Sequence, residues 1–371
     1  MDSIVIGAGP TGLAVAACLA REGISTRVIE RSDNVASAWR GHYDSLHLHT
    51  SRRRSALPMM PMPRHLPQFP SRQDVISYFE AYAARLVPDI IFNSNVQRVI
   101  DDNDTWRVLH TGGEERPPIV VVATGLNGIS RRPIWPGIDR FSGRILHSGD
   151  YRNPTNLVGK SALVVGFGNT GADIGLELAE AGLQVDLSVR GPVNIMPLRL
   201  LGVPTTSLGL LPKLVGYRLA DRLTAPILRL AIGRPEDYGL QSAIKGPVSQ
   251  IVEDGKIPII DHGALSAIKS GRIKVRPEIS SFDVGDVCFA DRSRAIYDSV
   301  ILATGYDVDL RPILGDRLDV LTPEGAPRSS GRATQSGGLF FASYVAATEG
   351  QLRQSGIEAR SIAKLARKFL D

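Results

Sequence analysis

The chain has 371 residues, 43% of them hydrophobic and 22% charged, with 43 basic and 38 acidic side chains for a net charge of +5. These values describe a globular chain long enough for two domains and exclude a disordered one, and the mild positive excess suits anionic cofactors without calling for nucleic acid. Two cysteines, Cys18 and Cys288, cannot build a disulfide framework, a zinc cluster or a C-x-x-C redox pair, so the chain reads as cytoplasmic, and neither a leader peptide nor an apolar run of membrane-spanning length is visible.

The first element is a buried strand, Ile4-Val5-Ile6, which runs into Gly7-Ala8-Gly9-Pro10-Thr11-Gly12 and then an Ala/Leu-rich helix over Leu13 to Arg21. A G-x-G-x-x-G between strand and helix is the phosphate turn of a dinucleotide site. Gly7 turns the chain, Gly9 lets backbone approach a pyrophosphate, and Gly12 lets helix pack on strand. A second strand, Thr26 to Glu30, ends in a carboxylate close to the ~20-residue spacing that suits a ribose with free hydroxyls. Glu30, with Arg31 beside it, therefore belongs to an FAD or NAD site. Further on, Val120-Val121-Val122 ends in the small residues Ala123-Thr124-Gly125.

The same series then returns. Leu163-Val164-Val165 runs into Gly166-Phe167-Gly168-Asn169-Thr170-Gly171, a helix over Ala172 to Ala181 and a strand over Gln184 to Val189. Val300-Ile301-Leu302 again ends in Ala303-Thr304-Gly305. This second unit has no acid at its strand end, which reads Ser188-Val189-Arg190. A carboxylate repels a 2′-phosphate and an arginine pairs with it, so the second site is assigned NADPH and the first FAD. Arg190 as a solvated strand-end charge is the plainer alternative. The expected fold is α/β with two Rossmann-like dinucleotide-binding domains. The NADPH domain, 151–299, is inserted into an FAD domain made of 1–150 and 300–371, with crossings at Val158-Gly159-Lys160 and Tyr297-Asp298-Ser299.

Between these landmarks, 208–232 is rich in leucine with Lys213, Arg218, Arg222 and Arg229 interleaved, and Pro212 and Pro226 are expected to break its helical pattern. It suits a channel rim, a dimer contact, a membrane surface or plain packing. Gln351 to Leu370 reads as a terminal helix with basic residues in its last turns. Its N-terminus would favour the electron-rich edge of a reduced flavin. The seven histidines are scattered without metal-ligand spacing, so no metal is expected.

Phe141-Ser142-Gly143-Arg144-Ile145-Leu146-His147-Ser148-Gly149-Asp150-Tyr151 matches the F-x-G-x-x-x-H-x-x-x-[FY] fingerprint of class B flavin-dependent monooxygenases, and Ala303-Thr304-Gly305-Tyr306 matches their A-T-G-Y. Tyr43-Asp44-Ser45-Leu46-His47-Leu48-His49, Leu57-Pro58-Met59-Met60-Pro61, Phe69-Pro70-Ser71-Arg72 and the 265–275 segment resemble the YUCCA-like branch. The resemblance implies that NADPH reduces FAD, that O2 adds at the flavin C4a carbon, and that the resulting (hydro)peroxyflavin attacks a small-molecule substrate. Within that branch the substrate is an aromatic α-keto acid such as indole-3-pyruvate, which is decarboxylated. N- or S-oxygenation of an amine or sulfide, plain NADPH oxidation and a non-enzymatic nucleotide-binding regulator are the alternatives; a homodimer is left open. The resemblance also places Trp39, His47, Leu48 and Gln351 near FAD. It puts His49, Thr50, Ser51 and Arg53 on the flavin side, with Thr50-Ser51 where animal-type relatives carry an asparagine. Ordinary core for Trp39 and a solvated face for His47 and His49 are the competing readings. Arg52, Arg53 and Arg54 are carboxylate-binding candidates, or a solvated basic loop. His147 either couples the two nucleotide sites or is a structural histidine.

Overall fold

Ser3–Ile6 (β1) is apolar but for its first residue and is buried on both faces, as the central strand of a parallel sheet must be. In the computed structural model, which describes residues 1–200, 202–206, 212 and 215–371, the chain divides into two compact units. The first is Met1–Arg40, Thr50–Ile129 and Tyr306–Asp371; the second is Gly41–His49 and Ser130–Gly305.

In the first unit β1 leads into α1 (Pro10–Arg21) and β2 (Thr26–Ile29). It pairs in parallel with both β2 and β3 (Ile119–Val122), so that Ile6 stands opposite Ile29 and Val122. Pro10 at the first helical position lacks only an N–H that no helix could pair there. The helix over Arg72–Leu86 starts on a reciprocal cap: Ser71 Oγ accepts from Asp74 N at 3.2 Å and Asp74 Oδ2 accepts from Ser71 N at 3.0 Å. An antiparallel meander of Val96–Asp102, Thr105–His110 and Gly113–Glu115 follows, absent from the sequence reading. Asn103, at φ +61°, makes its first turn.

The second unit repeats the plan. It contains β4 (Arg144–His147), β5 (Ser161–Val165), α2 (Asn169–Glu180), β6 (Gln184–Ser188), α3 (Tyr217–Ile232), α4 (Pro247–Asp254), β7 (Ile273–Arg276) and β8 (Ser299–Leu302). Its sheet runs β7-β6-β5-β8-β4, parallel throughout, with Val165 opposite Ser188 and Leu302 as Ile6 is opposite Ile29 and Val122. The chain then returns to the first unit. β9 (Leu339–Phe341) pairs with β3 to give the order β9-β3-β1-β2-(Ile90–Ile91), and α5 (Gln351–Leu370) packs along α1. Both units are thus α/β with parallel, Rossmann-like sheets. No helix among the described residues is long and apolar enough to cross a membrane.

Three expectations change. Residues 130–150 and 300–305 belong to the second unit, because β4 and β8 pair with each other in its sheet. The two proposed crossings meet inside that unit: Asp298 Oδ2 accepts from Lys160 N at 2.8 Å and Ser161 N at 2.9 Å. Pro226 does not break α3. Proline removes one N–H, and the carbonyl it would have paired, on exposed Arg222, is open to water. The part of the Leu-rich stretch that includes Lys213 lies outside the described residues.

Candidate functional site

In the first unit the turn after β1 has a geometry that only glycine permits. Gly7 adopts φ +104°, and its position faces the carbonyl of Ala123 at the end of β3; a Cβ there would sit 2.8 Å from that oxygen. A Cβ on Gly12 would lie 1.8 Å from the Gly7 carbonyl oxygen. Gly9, by contrast, faces open space and is the N-cap of α1 with no side chain capping it. The N–H groups of the first turn thus have open space before them, which suits a pyrophosphate. Glu30 is buried behind the turn, accepting from Ala8 N at 2.6 Å and Ser32 N at 3.0 Å. Arg31 is exposed next to it.

The N-terminus of α5 converges on the same place. Thr11 Oγ1 and Ser355 Oγ are 2.8 Å apart, and Ser355 Oγ lies 2.8 Å from Ser343 Oγ. Gly350 caps α5 with no side-chain bond, and Gln351 folds back to donate to the carbonyls of Ser343 and Val345. Thr124 bonds to Tyr344 through Oγ1 at 2.8 Å, a contact the sequence did not announce. Two uncapped helix starts in one place favour an anionic group with a second electron-rich edge. Thr50, with Oγ1 2.6 Å from Ser55 Oγ, lies against Gly350, whose Cβ would meet its methyl group at 2.5 Å. Ser51 is buried beside it and caps a short helix over Arg52–Ser55. Trp39 packs edge-to-face on Phe79 at 5.9 Å.

The arginine triplet is divided by that helix. Arg53 is exposed, Arg52 Nη1 donates to the Leu66 carbonyl, and Arg54 pairs with buried Glu349 at 3.4 Å. Cys18 is buried in α1 with its thiol pushed up to about 11, chiefly by burial, which leaves it protonated at neutral pH.

In the second unit the same cradle recurs. Gly166 has φ +102° and a Cβ there would be 2.7 Å from the Ala303 carbonyl oxygen. A Cβ on Gly171 would be 2.0 Å from the Gly166 oxygen, and Gly168 faces open space as the uncapped N-cap of α2. Asn169 is occupied: it donates to Pro258 O and accepts from Ile260 N at 2.7 Å. Thr170 stands on the first turn of α2, Thr304 Oγ1 donates to the Arg131 carbonyl, and Arg190 is exposed beyond β6. His147 is fully buried, with Nδ1 accepting from Gly149 N at 3.1 Å and Nε2 3.1 Å from the Gly305 carbonyl. Burial lowers its pKa against the pull of that carbonyl, and its two bonds tie β4 to the end of the Ala303–Gly305 turn.

The segment Gly41–His49 belongs to this unit, which corrects its grouping with residues 1–150. Tyr43 is buried in the second core and its hydroxyl donates to Asp173 Oδ2 at 2.6 Å. Leu46 packs against that core, Leu48 is buried, and His47 is exposed with Nδ1 2.8 Å from the Ser45 carbonyl. His49 and His262, far apart in sequence, meet over Asp173, with their ligand atoms and its carboxylate within 4.8 Å of one another. His262 Nε2 is 2.7 Å from Asp173 Oδ1 and His49 Nε2 3.4 Å from Oδ2. Burial opposes ionisation of Asp173, yet the His262 hydrogen bond and the neighbouring His49 win and hold its carboxyl well below the usual range. The same bond raises the His262 pKa against partial burial. One sequence signal existed: an acid set among Ala172 and Ile174 on an otherwise apolar helix face.

The pair has a pH window. Asp173, depressed, stabilises the fold above its unfolded value of about 3.9; His262, raised, does so fully below about 6.5 and loses that contribution as pH rises through its folded value. His262→Gln is therefore expected to lower Tm most between about pH 4 and 6.5, with the deficit closing toward alkaline pH. Thermal melts across that range check it, and a deficit independent of pH would refute the ion pair.

A family model described as flavin-binding monooxygenase-like matches residues 2–323. Indole-3-pyruvate monooxygenase YUCCA1 of Oryza sativa subsp. japonica is 37% identical over 87% of this chain and 81% of its own length. Probable indole-3-pyruvate monooxygenase YUCCA9 of Arabidopsis thaliana is 34% identical over 97% and 87%. Among solved structures, a flavin-containing monooxygenase from Stenotrophomonas maltophilia superposes over 100% of this chain and 99% of its own, with TM-score 0.76 at 22% identity, which speaks to the fold. Two glycine cradles of one geometry, a full class B fingerprint and this extent of similarity have one meaning: the chain belongs to the flavin-binding monooxygenase family, in its YUCCA-like branch, as an oxidoreductase that uses FAD and NADPH and incorporates oxygen.

Proposed function

We propose that the chain oxidatively decarboxylates an aromatic α-keto acid of the indole-3-pyruvate kind, with FAD on the first-unit cradle and NADPH on the second. The first unit is then the FAD-binding domain and the second an inserted NADPH domain. The observation that carries the substrate class is the 37% identity to a protein named indole-3-pyruvate monooxygenase. Bound flavin supplies the redox and oxygen chemistry, so the protein's task is to bind, orient and keep water out. The residues are consistent with that task. Gly9 and Gly168 leave room for two pyrophosphates, Glu30 lies at the ribose end of the first site and Arg190 at that of the second. The N-terminus of α5 offers its dipole to the negative edge of reduced flavin.

One observation favours a second reading, N- or S-oxygenation of an uncharged substrate. Arg53 is turned to solvent while Arg52 and Arg54 are already engaged, which leaves the triplet a poor anchor for a substrate carboxylate. Arg53→Ala is accordingly expected to change kcat/KM on a keto acid by less than about twofold, the usual size for a surface substitution. The deciding experiment is NADPH-dependent O2 uptake with indole-3-pyruvate, an amine and a thioether, with product mass and released CO2 measured. Coupled CO2 release with formation of the acid one carbon shorter supports the first reading. Sulfoxide or N-oxide with no CO2 from any keto acid replaces it with the second. Peroxide equal to NADPH consumed with every substrate would leave only an oxidase.

A further inference from the structure

α3 turns an apolar stripe to solvent. Its inward face is settled by Ala220, Asp221 and Leu228, all buried. Asp221 accepts from Val248 N at 2.9 Å and Ser249 N at 2.8 Å, capping α4, so the one acid of the helix is used up inside. On the outer side Leu219, Leu223, Ile227 and Leu230 are 46%, 51%, 41% and 89% exposed, at steps of three and four residues, with Pro226 exposed among them. Arg218, Arg222, Ala225 and Arg229 run alongside as the adjacent row. Arg218 pairs with Glu253 at 3.0 Å, whereas Arg222 and Arg229 have no ion-pair partner among the described residues. Large leucines exposed in a row are unusual on a soluble surface and mark a contact.

We propose that this face is a docking surface for an anionic lipid bilayer, with α3 lying in the interface plane. The charge pattern chooses the occupant. A second copy of the same face would set Arg222 and Arg229 against their own equivalents, with no acid exposed on the helix to pair with them. An anionic headgroup layer complements the arginine row while the leucines enter the acyl boundary. The whole chain, at net charge +5 and a sequence pI of about 9.3, is attracted the same way. A helix of 16 residues reaches about 24 Å and carries three arginines, so it lies on the bilayer rather than crossing it.

The test uses the full FAD-loaded chain, sedimented with phosphatidylcholine vesicles with or without phosphatidylglycerol, at low and high salt. Wild type is expected to pellet with the anionic vesicles and to be released by salt. Arg222→Gln/Arg229→Gln should weaken partitioning about fivefold for each charge removed. Leu223→Glu/Leu230→Glu, both at exposed positions, should stay in the supernatant while keeping its flavin colour and circular dichroism. No pelleting of wild type, or pelleting unaffected by both variants, would overturn the proposal. So would a dimer in light scattering that the leucine variant splits, since the face would then belong to a second copy.

Discussion

Gly9→Val is expected to give a folded, colourless protein, while Gly12→Ala gives none that folds. The two positions are three residues apart in one turn, yet their surroundings are opposite. A Cβ on Gly9 meets nothing within 4 Å and its φ of −74° suits any residue, so the fold accepts valine there. The added isopropyl group fills the open space at the start of α1, where a pyrophosphate bound to this turn has to come close to backbone. Overpacking of that kind costs on the order of 3 kcal/mol, about a hundredfold in FAD affinity. A Cβ on Gly12 would be 1.8 Å from the Gly7 carbonyl oxygen, where both partners are backbone of a buried turn and neither can yield. Visible absorbance per chain after gel filtration measures the first effect and soluble yield the second. Gly168→Val is the control for the other site: it should keep its flavin and lose NADPH-driven bleaching. A folded Gly9→Val protein with a full complement of FAD would refute the placement of FAD on the first cradle.

Arg190→Ala is expected to weaken NADPH tenfold to a hundredfold and leave NADH almost unchanged. Val189 stands after β6 where Glu30 stands after β2, and Arg190, the next residue, is exposed. A charge-assisted bond to a 2′-phosphate contributes about 1.5–3 kcal/mol, which gives the stated range. The check is the concentration of each nucleotide that half-saturates flavin reduction in wild type and variant. Equal losses for NADPH and NADH would show that Arg190 acts on the fold or on a group shared by both nucleotides.

The cradles were legible because their determinants are local. A positive φ at Gly7 and Gly166, and helix starts too close to strand ends for a side chain at Gly12 and Gly171, are written into single turns of contiguous chain. α5 was readable over Gln351–Leu370 for the same reason: its period and its basic last turn are properties of one segment. The reading also held where a motif repeats, since Ala123 and Ala303 place their carbonyls against the first glycine of each turn in the same way.

What the sequence by itself determined, then, is the pair of glycine turns between strand and helix in two α/β units, because backbone sterics need no distant partner. Only the tertiary structure decided where the intervening residues go. Gly41–His49 joined the second unit because Tyr43 finds its acceptor on Asp173, far along the chain. His49 and His262 became one cluster over that same carboxylate. The arginine triplet was sorted by a single turn of helix and by Glu349. Pro226 was carried within α3, and the outward face of that helix was set by Asp221 bonding inward to α4. Pro226 apart, where water replaces the lost partner, these outcomes depend on a side chain finding a partner remote in sequence, and such pairings exist only once the chain has folded.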